Sequence, residues 1–145
     1  MSDLARPAVP GPQEIFDRFR ANVLAGGVGL TEDLCAADIV VELPLAPPGA
    51  PRRFDGRAAF IAFSIATREA LPVRFEGFDV LAVHRTADPE VIVAEYEVTG
   101  VLTTTGRRSS AAALVVLRAR DGRVVHWREY QNVSAVLESL GHRSA

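Results

Sequence analysis

The second half of the chain constrains the fold most, because it holds four consecutive strand patterns joined by short turns. The patterns cover residues 73–85, 91–104, 109–120 and 123–132. The last connection, Asp121-Gly122, is typical of a two-residue hairpin. Four sequential strands with such short connections favour an antiparallel meander. With helices packed on one face, such a sheet forms an α+β fold.

The first half is predicted to hold three helices around one strand. Apolar residues recur at helical spacing in residues 13–25 and 56–71, and a short second helix is predicted for residues 31–36. Residues 38–45 have a strand pattern, which Pro44 restricts to an edge or an end of the sheet. The proline-rich residues 46–55 are predicted to form a loop. Residues 133–140 are predicted to close the chain as a short helix.

The composition indicates one globular domain. Of the 145 residues, 48% are hydrophobic, which is enough for a substantial core. Residues 1–12 contain Pro but no apolar periodicity, so they are predicted to be a disordered or loosely attached arm before a single domain that covers residues 13–145. The net charge of −2 shows no basic surface for nucleic acid or anionic membranes. Since the sequence has no long apolar run and no signal-peptide pattern, the expected compartment is the cytoplasm.

Cofactor and metal motifs do not stand out in the sequence. The one cysteine, Cys35, excludes an internal disulfide and is expected to be a buried, inert thiol. The three histidines lack metal-ligand spacing, and no glycine-rich phosphate loop occurs. The sequence therefore predicts neither a metal nor a cofactor.

The last strand carries the most informative polar residue. Alternation places Val125, Trp127, Glu129 and Gln131 on one face of residues 123–132. Two interpretations remain open. Either Trp127 is core and Glu129 is solvated at the strand end, or this face lines a cavity in which Glu129 is an acid or a base.

Three further carboxylates interrupt apolar strand patterns. Glu42 lies within the early strand, and Glu95 and Glu97 share a face with apolar residues of the strand that begins at Val91. Several carboxylates in one pocket repel each other, so at least one would hold a proton near neutral pH. Such a group suits general acid/base chemistry on a carbon acid or a carbonyl.

A plain surface role for the Glu95 and Glu97 pair is the alternative. In that case both side chains face solvent on an edge strand. They would then form surface ion pairs with an arginine, the candidates being Arg107, Arg108 and Arg128.

Other polar residues have both a functional and a surface interpretation. His84 could be a second acid/base group or a surface histidine before a turn. Arg52 and Arg53 could clamp an acidic substrate or form a solvated loop tip. Tyr96 and Tyr130 could donate hydrogen bonds to an oxyanion, although both alternate away from the predicted carboxylate face.

Three segments resemble the SnoaL-like branch of the nuclear transport factor two superfamily. The first opens with His126-Trp127-Arg128-Glu129-Tyr130 and ends near Gly141. The second combines Glu42-Leu43-Pro44 with Phe54-Asp55-Gly56-Arg57-Ala58 and a helix, and the third covers residues 91–97. The resemblance implies a cone-shaped α+β barrel, in which a strongly curved, mostly antiparallel sheet and its helices surround a pocket. It also implies a homodimer through the sheet.

The resemblance assigns a role to Glu129. In polyketide cyclases and the phenazine biosynthesis A/B proteins, an acid of the final strand at this position serves as acid or base. The phenazine proteins also match the pattern of Arg128, Glu129, Tyr130 and Asn132. Their catalytic histidine has no counterpart in this chain.

Two other relatives match less completely. Limonene-type epoxide hydrolases use an Asp-Arg-Asp set, and here Glu97 and Glu129 stand at the acids while Glu95 replaces the arginine. Val40 stands where those enzymes hold water with a tyrosine. Ketosteroid isomerase uses an aspartate base near the position of Glu42, with an oxyanion hole whose tyrosine has no match here.

The leading hypothesis is a small, cofactor-independent enzyme of the polyketide cyclase or isomerase type. Glu129 would shuttle a proton on a hydrophobic, cyclic or carbonyl-bearing metabolite, with Glu97 and Glu42 as further catalytic carboxylates. Four residues are the candidates for binding this substrate: Trp127, Glu95, Phe60 and Phe63.

Two alternatives remain, and pocket geometry distinguishes them. A closed, apolar pocket of roughly a few hundred cubic ångströms with an unpaired Glu129 would favour the enzyme. An open pocket with all four carboxylates in salt bridges would favour a non-catalytic ligand-binding or dimerisation module. Arg128 or His84 in the pocket would favour hydrolysis of an epoxide.

Overall fold

The computed structural model describes residues 9–132 together with residues 135, 136, 138 and 140. The helices are α1 (Pro12–Leu24) and α2 (Arg57–Ala70). The strands are β1 (Cys35–Glu42), β2 (Arg53–Asp55), β3 (Val73–Arg85), β4 (Val91–Leu102), β5 (Arg108–Arg120) and β6 (Arg123–Gln131). The α+β class, the meander of four long strands and both main helices are confirmed.

The six strands form one curved sheet in the order β2-β1-β6-β5-β4-β3. The meander β3 to β6 is antiparallel, whereas β1 pairs with β6 in parallel. Parallel neighbours need a long connection, and here the chain from β2 through β5 supplies it. The sheet has the cone-like curvature that the resemblance implied, but it is not closed, so β2 and β3 remain edge strands.

Two predictions for the first half are wrong. The second helix is only a 3₁₀ turn, Glu32–Leu34, because Cys35 already pairs with Val124 of β6. The loop predicted for residues 46–55 ends in strand β2, which pairs with the end of β1. Three residues are too few to show a periodicity, so only the tertiary pairing reveals this strand.

The core lies between α1 and the concave face of the sheet. Ile15 and Phe16 of α1 are fully buried, and so are Val115 and Leu117 of β5. Gly26, with a positive φ of 90°, follows the end of α1, and α2 covers β1 and β2. Burial of these apolar side chains is the main stabilising contribution to the fold.

The ends of the chain are described only in part. The predicted arm lies mostly in residues 1–8, which are outside the described residues, and so is part of the closing helix predicted for residues 133–140. Within that helix, the Val136 amide donates to the Asn132 carbonyl at 3.2 Å. The Asn132 side chain accepts from the Ala135 amide at 3.1 Å, as an N-cap residue does.

Candidate functional site

A cavity of about 550 Å³ lies between the two helices, the loops that follow α1 and β1, and the sheet. Its wall is mostly apolar and rich in aromatic rings. Phe60, Phe63 and Trp127, three of the residues predicted to bind substrate, line it. The other rings of the wall come from α1, β3 and β4: Phe19, Phe75, Phe78 and Tyr96. A cavity of this size and character is typical of small-molecule sites.

Glu129 lies in this cavity and is buried. Only 8% of the residue is exposed, although β6 is near its end at this point. One carboxylate oxygen accepts a hydrogen bond from the Tyr96 hydroxyl. The other oxygen accepts from Gln131 Nε2 at 2.7 Å. The structure therefore places Trp127, Glu129 and Gln131 of β6 in the cavity wall, and Glu129 is not solvated at the strand end.

The burial of Glu129 changes its acidity. Loss of hydration raises the pKa of its carboxyl group above the ordinary value of 4.5, and the hydrogen bonds from Tyr96 and Gln131 offset only part of that rise. Burial, together with the neighbouring carboxylate, raises the pKa of Tyr96 well above its ordinary value. The hydroxyl therefore stays protonated and is the hydrogen-bond donor to Glu129. Among the described residues, no salt bridge reaches Glu129.

Aromatic packing holds the Tyr96 hydroxyl in place. The Tyr96 ring stacks on Phe78 with centroids 4.7 Å apart and an angle of 8° between the planes. Phe16 of α1 contacts the same ring at 5.6 Å. Trp127 packs on Phe19 at 4.8 Å. These contacts fix the direction of the hydroxyl, since a stacked ring cannot rotate without losing them.

The remaining predicted carboxylates lie outside the cavity. Glu42 accepts a hydrogen bond from Arg53 Nη1 at 3.0 Å and lies 3.5 Å from His126 Nε2. Arg53 also pairs with Asp55, so it is part of a surface ion network rather than a substrate clamp. Glu42 therefore has a partner on the surface, and nothing places it beside Glu129.

The face that we predicted for Glu95 and Glu97 is wrong. In β4 the buried residues are Ile92, Ala94 and Tyr96, so Glu95 and Glu97 point to the outer side of the sheet. Glu95 pairs with His84 at 2.6 Å, and both side chains are largely exposed. This pair is the surface arrangement that we weighed as the alternative, although the partner of Glu95 is a histidine instead of an arginine.

Two residues of the site were missed or set aside at the sequence level. We placed Tyr96 on the face away from the acids, and Gln131 was not given a role. The signal for Tyr96 was available in β4: Ile92, Ala94, Tyr96 and Val98 form a wholly apolar or aromatic set, whereas the alternate set contains both glutamates. The set without charged residues is the better prediction of the buried face.

The other chemistry-bearing groups of the described residues are distant from this site. Cys35 is buried, as predicted, and desolvation raises the pKa of its thiol to about 11, so it stays protonated. No group of three His, Cys, Asp or Glu side chains is placed to hold a metal ion in the part of the chain that the structure describes. Neither described helix is long and apolar enough to cross a membrane.

The comparisons with known proteins define the class. The family model of the SnoaL-like domain matches residues 16–127. This chain therefore belongs to the SnoaL-like family, within the nuclear transport factor two superfamily. An uncharacterised PhzA/B-like protein of Pseudomonas aeruginosa is 37% identical over 109 residues, which is 75% of each chain. The uncharacterised protein YesE of Bacillus subtilis is 30% identical over 128 residues, covering 88% of this chain and 86% of YesE.

Solved structures show the same fold. A candidate isomerase from Bacillus subtilis superposes with a TM-score of 0.80 at 29% identity, covering 90% of this chain and 93% of the other. A candidate polyketide cyclase from Xanthomonas campestris superposes with a TM-score of 0.70 at 21% identity, covering 88% of this chain and 95% of the other. At such identity the second likeness shows the fold alone.

Proposed function

We propose that this protein is a cofactor-independent general acid/base enzyme of the cyclase or isomerase type, acting on a hydrophobic metabolite that carries a carbonyl group. The observation that supports it most is the Glu129 carboxyl group, buried in an apolar cavity with two neutral hydrogen-bond donors and no ionic partner among the described residues. Burial raises the pKa of this carboxyl group, which makes it a stronger base than an exposed glutamate and so better suited to take up a proton from a carbon acid.

The proposed reaction begins with Glu129 as base. The C–H bond next to the substrate carbonyl breaks, its proton moves to a Glu129 oxygen, and its electron pair forms an enolate. To isomerise the substrate, Glu129 returns the proton at another carbon. To close a ring, the enolate carbon attacks a second carbonyl carbon of the same molecule, and the proton passes to the new alkoxide oxygen. Both routes balance without a metal or a redox cofactor.

Tyr96 and Gln131 have a positioning role in this scheme. Their hydrogen bonds hold the two Glu129 oxygens in one orientation, so the base does not lose rotamer freedom during the reaction. Trp127 and Phe60 provide flat apolar surfaces for the substrate body. The dry wall also strengthens the electrostatic interactions of the enolate with nearby donors.

The names of similar proteins support the same class of reaction. The similar structures described above include a candidate isomerase and a candidate polyketide cyclase. Many cyclisations and isomerisations of carbonyl compounds use a proton acceptor, and Glu129 is the buried carboxylate that could supply it. The substrate of this chain stays open within the class of hydrophobic carbonyl compounds.

Proton abstraction can be measured without knowledge of the product. The protein would be incubated in D₂O with a panel of cyclic and aromatic ketones, and exchange of the α-hydrogens followed by ¹H NMR. We expect at least one ketone to exchange, and Glu129→Gln to slow that exchange by about 10²- to 10⁴-fold. Glutamine keeps the shape of the side chain and one acceptor, but cannot take up a proton.

The control is a carboxylate elsewhere on the sheet. Asp79 of β3 is exposed, and Asp79→Asn should leave the exchange rate unchanged. Equal exchange rates in wild type and Glu129→Gln would remove Glu129 from the mechanism. Binding of ketones without any exchange in the wild-type protein would favour the non-catalytic module instead.

Hydrolysis of an epoxide gains no support from the site. That alternative needed Arg128 or His84 in the pocket, yet neither is a lining residue. His84 pairs with Glu95 on the outer side of the sheet, and Arg128 Nη1 lies 3.9 Å from Glu42. The water-activating carboxylate would therefore lack the cation that the limonene-type relatives use.

We also propose a homodimer through the outer face of the sheet. Leu114 and Val116 of β5 point to this face and are only half-buried, although the sequence of β5 is almost wholly apolar from Ala111 to Leu117. On the same face, Arg128 Nε is buried without a hydrogen-bond partner among the described residues. An isologous interface would cover the apolar side chains and supply an acceptor to this nitrogen.

A further inference from the structure

We infer that the ligand of this cavity is an acid, whose carboxylate is bound by Arg68 while its apolar body extends toward Glu129. The inference rests on the proposed function for the use of the cavity, and it adds the class of substrate. Arg68 is on the last turn of α2, lines the cavity and is half-buried. It was not among the candidates that the sequence suggested.

The contacts of Arg68 fix its guanidinium without neutralising it. Nε donates to the Gly26 carbonyl at 3.2 Å, Nη1 to the Leu71 carbonyl at 3.3 Å, and Nη2 to the Val73 carbonyl at 2.7 Å. The guanidinium carbon lies 5.0 Å from the centroid of the Phe75 ring. All these partners are neutral, so the full positive charge of the group remains.

Several other arginines have their charge balanced by an acid, unlike Arg68. Arg53, Arg108, Arg118 and Arg120 all pair with carboxylates on the surface. Among the described residues, Arg68 has no salt bridge and no carboxylate acceptor. A guanidinium has five N–H donors, and three are used here, so two remain for a ligand. A carboxylate is the planar acceptor that two such donors bind best.

The polar wall around Arg68 suits the same group. Ser64 lies four residues before Arg68 and Thr67 one residue before it, and both line the cavity. Residues three or four apart share one side of a helix, so Ser64 is next to both Thr67 and Arg68 on α2. Their hydroxyls can donate to the oxygens of an acid held by Arg68. Together these residues give the cavity one polar, cationic end and a long apolar remainder.

The cationic end lies well away from Glu129. Phe75, beneath the Arg68 guanidinium, pairs with Gly100 of β4, and Gly100 lies four residues after Tyr96, which binds Glu129. At the rise of an extended strand, this separation corresponds to roughly 14 Å along β4. A ligand that spans it would have its carboxylate at Arg68 and a carbonyl or an activated carbon next to Glu129.

The ligand class therefore is a hydrophobic keto acid or aryl acid of that length. In this arrangement Arg68 would orient the molecule, and Glu129 would act on a carbon at its other end. Electrostatics favour this orientation as well. The ligand carboxylate would be repelled by the Glu129 carboxylate, whereas the Arg68 guanidinium attracts it. Binding in the reverse orientation would thus be unfavourable.

Matched acids and amides test the inference by binding alone. The probes are 4-phenylbutanoic, 6-phenylhexanoic and 8-phenyloctanoic acids with their primary amides. Binding can be followed through the fluorescence of Trp127, the chain's only tryptophan and part of the cavity wall. For at least one chain length, we expect wild type to bind the acid at least about tenfold more tightly than the amide, the effect of a charge-assisted pair.

Variants locate the source of that preference. Arg68→Gln should reduce the difference between acid and amide to about twofold or less. Arg20→Gln is the matched control, because Arg20 also donates to a strand carbonyl, that of Phe78, and lies over its ring, yet does not line the cavity. This control should keep the tenfold preference.

Two results would overturn the inference. The first is that wild type binds none of the acids more tightly than the matching amide. This result needs no variant, so it does not depend on whether Arg68→Gln folds. The other is a full acid preference in folded Arg68→Gln. Glu129→Gln should keep the acid preference even where it stops proton exchange, so a failure here is distinct from a failure of the proposed reaction.

Discussion

At the scale of single residues, the protein treats Glu129 differently from its surface acids. Hydrogen bonds from arginines hold the pKa values of Glu76 and Glu90 below their usual range. The Glu90 backbone N–H, followed by Arg118, does the same for Asp88. Glu129 has no such neighbour among the described residues, and burial raises its pKa. A carboxylate that is costly to ionise is kept in place by the surrounding fold, which is typical of functional groups.

The raised pKa of Glu129 predicts a pH-dependent cost to stability. An acid with a folded pKa above its unfolded value stabilises the folded state only while it is protonated. Its contribution is complete below the unfolded pKa and is lost as the pH rises through the folded pKa. Relative to wild type, Glu129→Gln should therefore gain unfolding free energy as the pH rises from about 4 to 8, where glutamine has no charge to desolvate.

The measurement is urea denaturation of both proteins at several pH values. Asp79→Asn, at an exposed position of β3, is the control and should follow wild type at every pH. The raised pKa would be contradicted if the difference in unfolding free energy between Glu129→Gln and wild type stayed constant with pH. It would also be contradicted if wild type gained stability relative to the variant as the pH rises.

The sequence identifies part of this site and misses the rest for specific physical reasons. Glu129 and Trp127 could be predicted because their face of β6 combines an acid with the sole indole. Val124 is buried instead of the predicted Val125, because the register with β5 shifts between Arg118 and Ala119. A bulge of this kind reverses the alternation, and it depends on the partner strand rather than on local sequence.

At the scale of elements, β3 side chains approach β4 so closely at Gly100 that there is no space for a Cβ atom. A Cβ at this position would lie 2.6 Å from Val73 Cγ1 and 3.5 Å from Phe75 Cδ1. Val73 is β-branched, so its methyl group cannot move aside without a change of rotamer. One register shift between β3 and β4, at Phe75/Gly77, lies opposite Gly100 and Thr99, and the other is at Val80/Ala82.

Replacement of Gly100 tests this close approach. Gly100→Ala should lower the unfolding free energy by about 1–3 kcal/mol, as overpacking of a buried site does. Gly77→Ala is the matched control on β3, since its Cβ would meet Thr99 Cβ at an ordinary 3.4 Å. It should change stability by less than about 0.5 kcal/mol. Equal effects of the two substitutions in urea denaturation would contradict the proposed crowding.

The long elements were predictable and the short ones were not. Strands β3 to β6 and helix α2 have nine or more residues each, so their periodicity is clear in the sequence. Strand β2 and the 3₁₀ turn have three residues each, and tertiary pairing decides their state. The parallel neighbour of β6 could not be predicted either, since no local pattern records which strand joins the edge of a meander.

At the scale of the whole molecule, the two faces of the sheet have separate roles. The concave face holds the cavity, with Glu129 and the aromatic wall. The outer face presents Leu114, Val116 and the Arg128 Nε, which has no hydrogen-bond partner within the described part of the chain, and it also carries Glu97. An apolar centre with acidic and basic groups at its margin is suited to a two-fold contact between copies.

The proposed dimer has a measurable mass. Light scattering after size exclusion should give about twice the 15.6 kDa of one chain. Leu114→Glu should convert the protein to a monomer, because it places a charge in the apolar centre of the interface. Ile65→Glu, at an exposed position of α2 away from the sheet face, should leave the dimer intact. A wild-type mass of one chain at all micromolar concentrations would contradict the dimer.

The most direct measurement of the central claim is a ¹³C NMR titration of the Glu129 carboxyl carbon, assigned by its absence in Glu129→Gln. The claim is that this carboxyl is buried in the cavity and holds its proton to higher pH than an ordinary glutamate. We predict a titration midpoint above 4.5, the ordinary value, with a further change when a hydrophobic ketone is added. A midpoint at or below 4.5 that ligands do not affect would contradict the account.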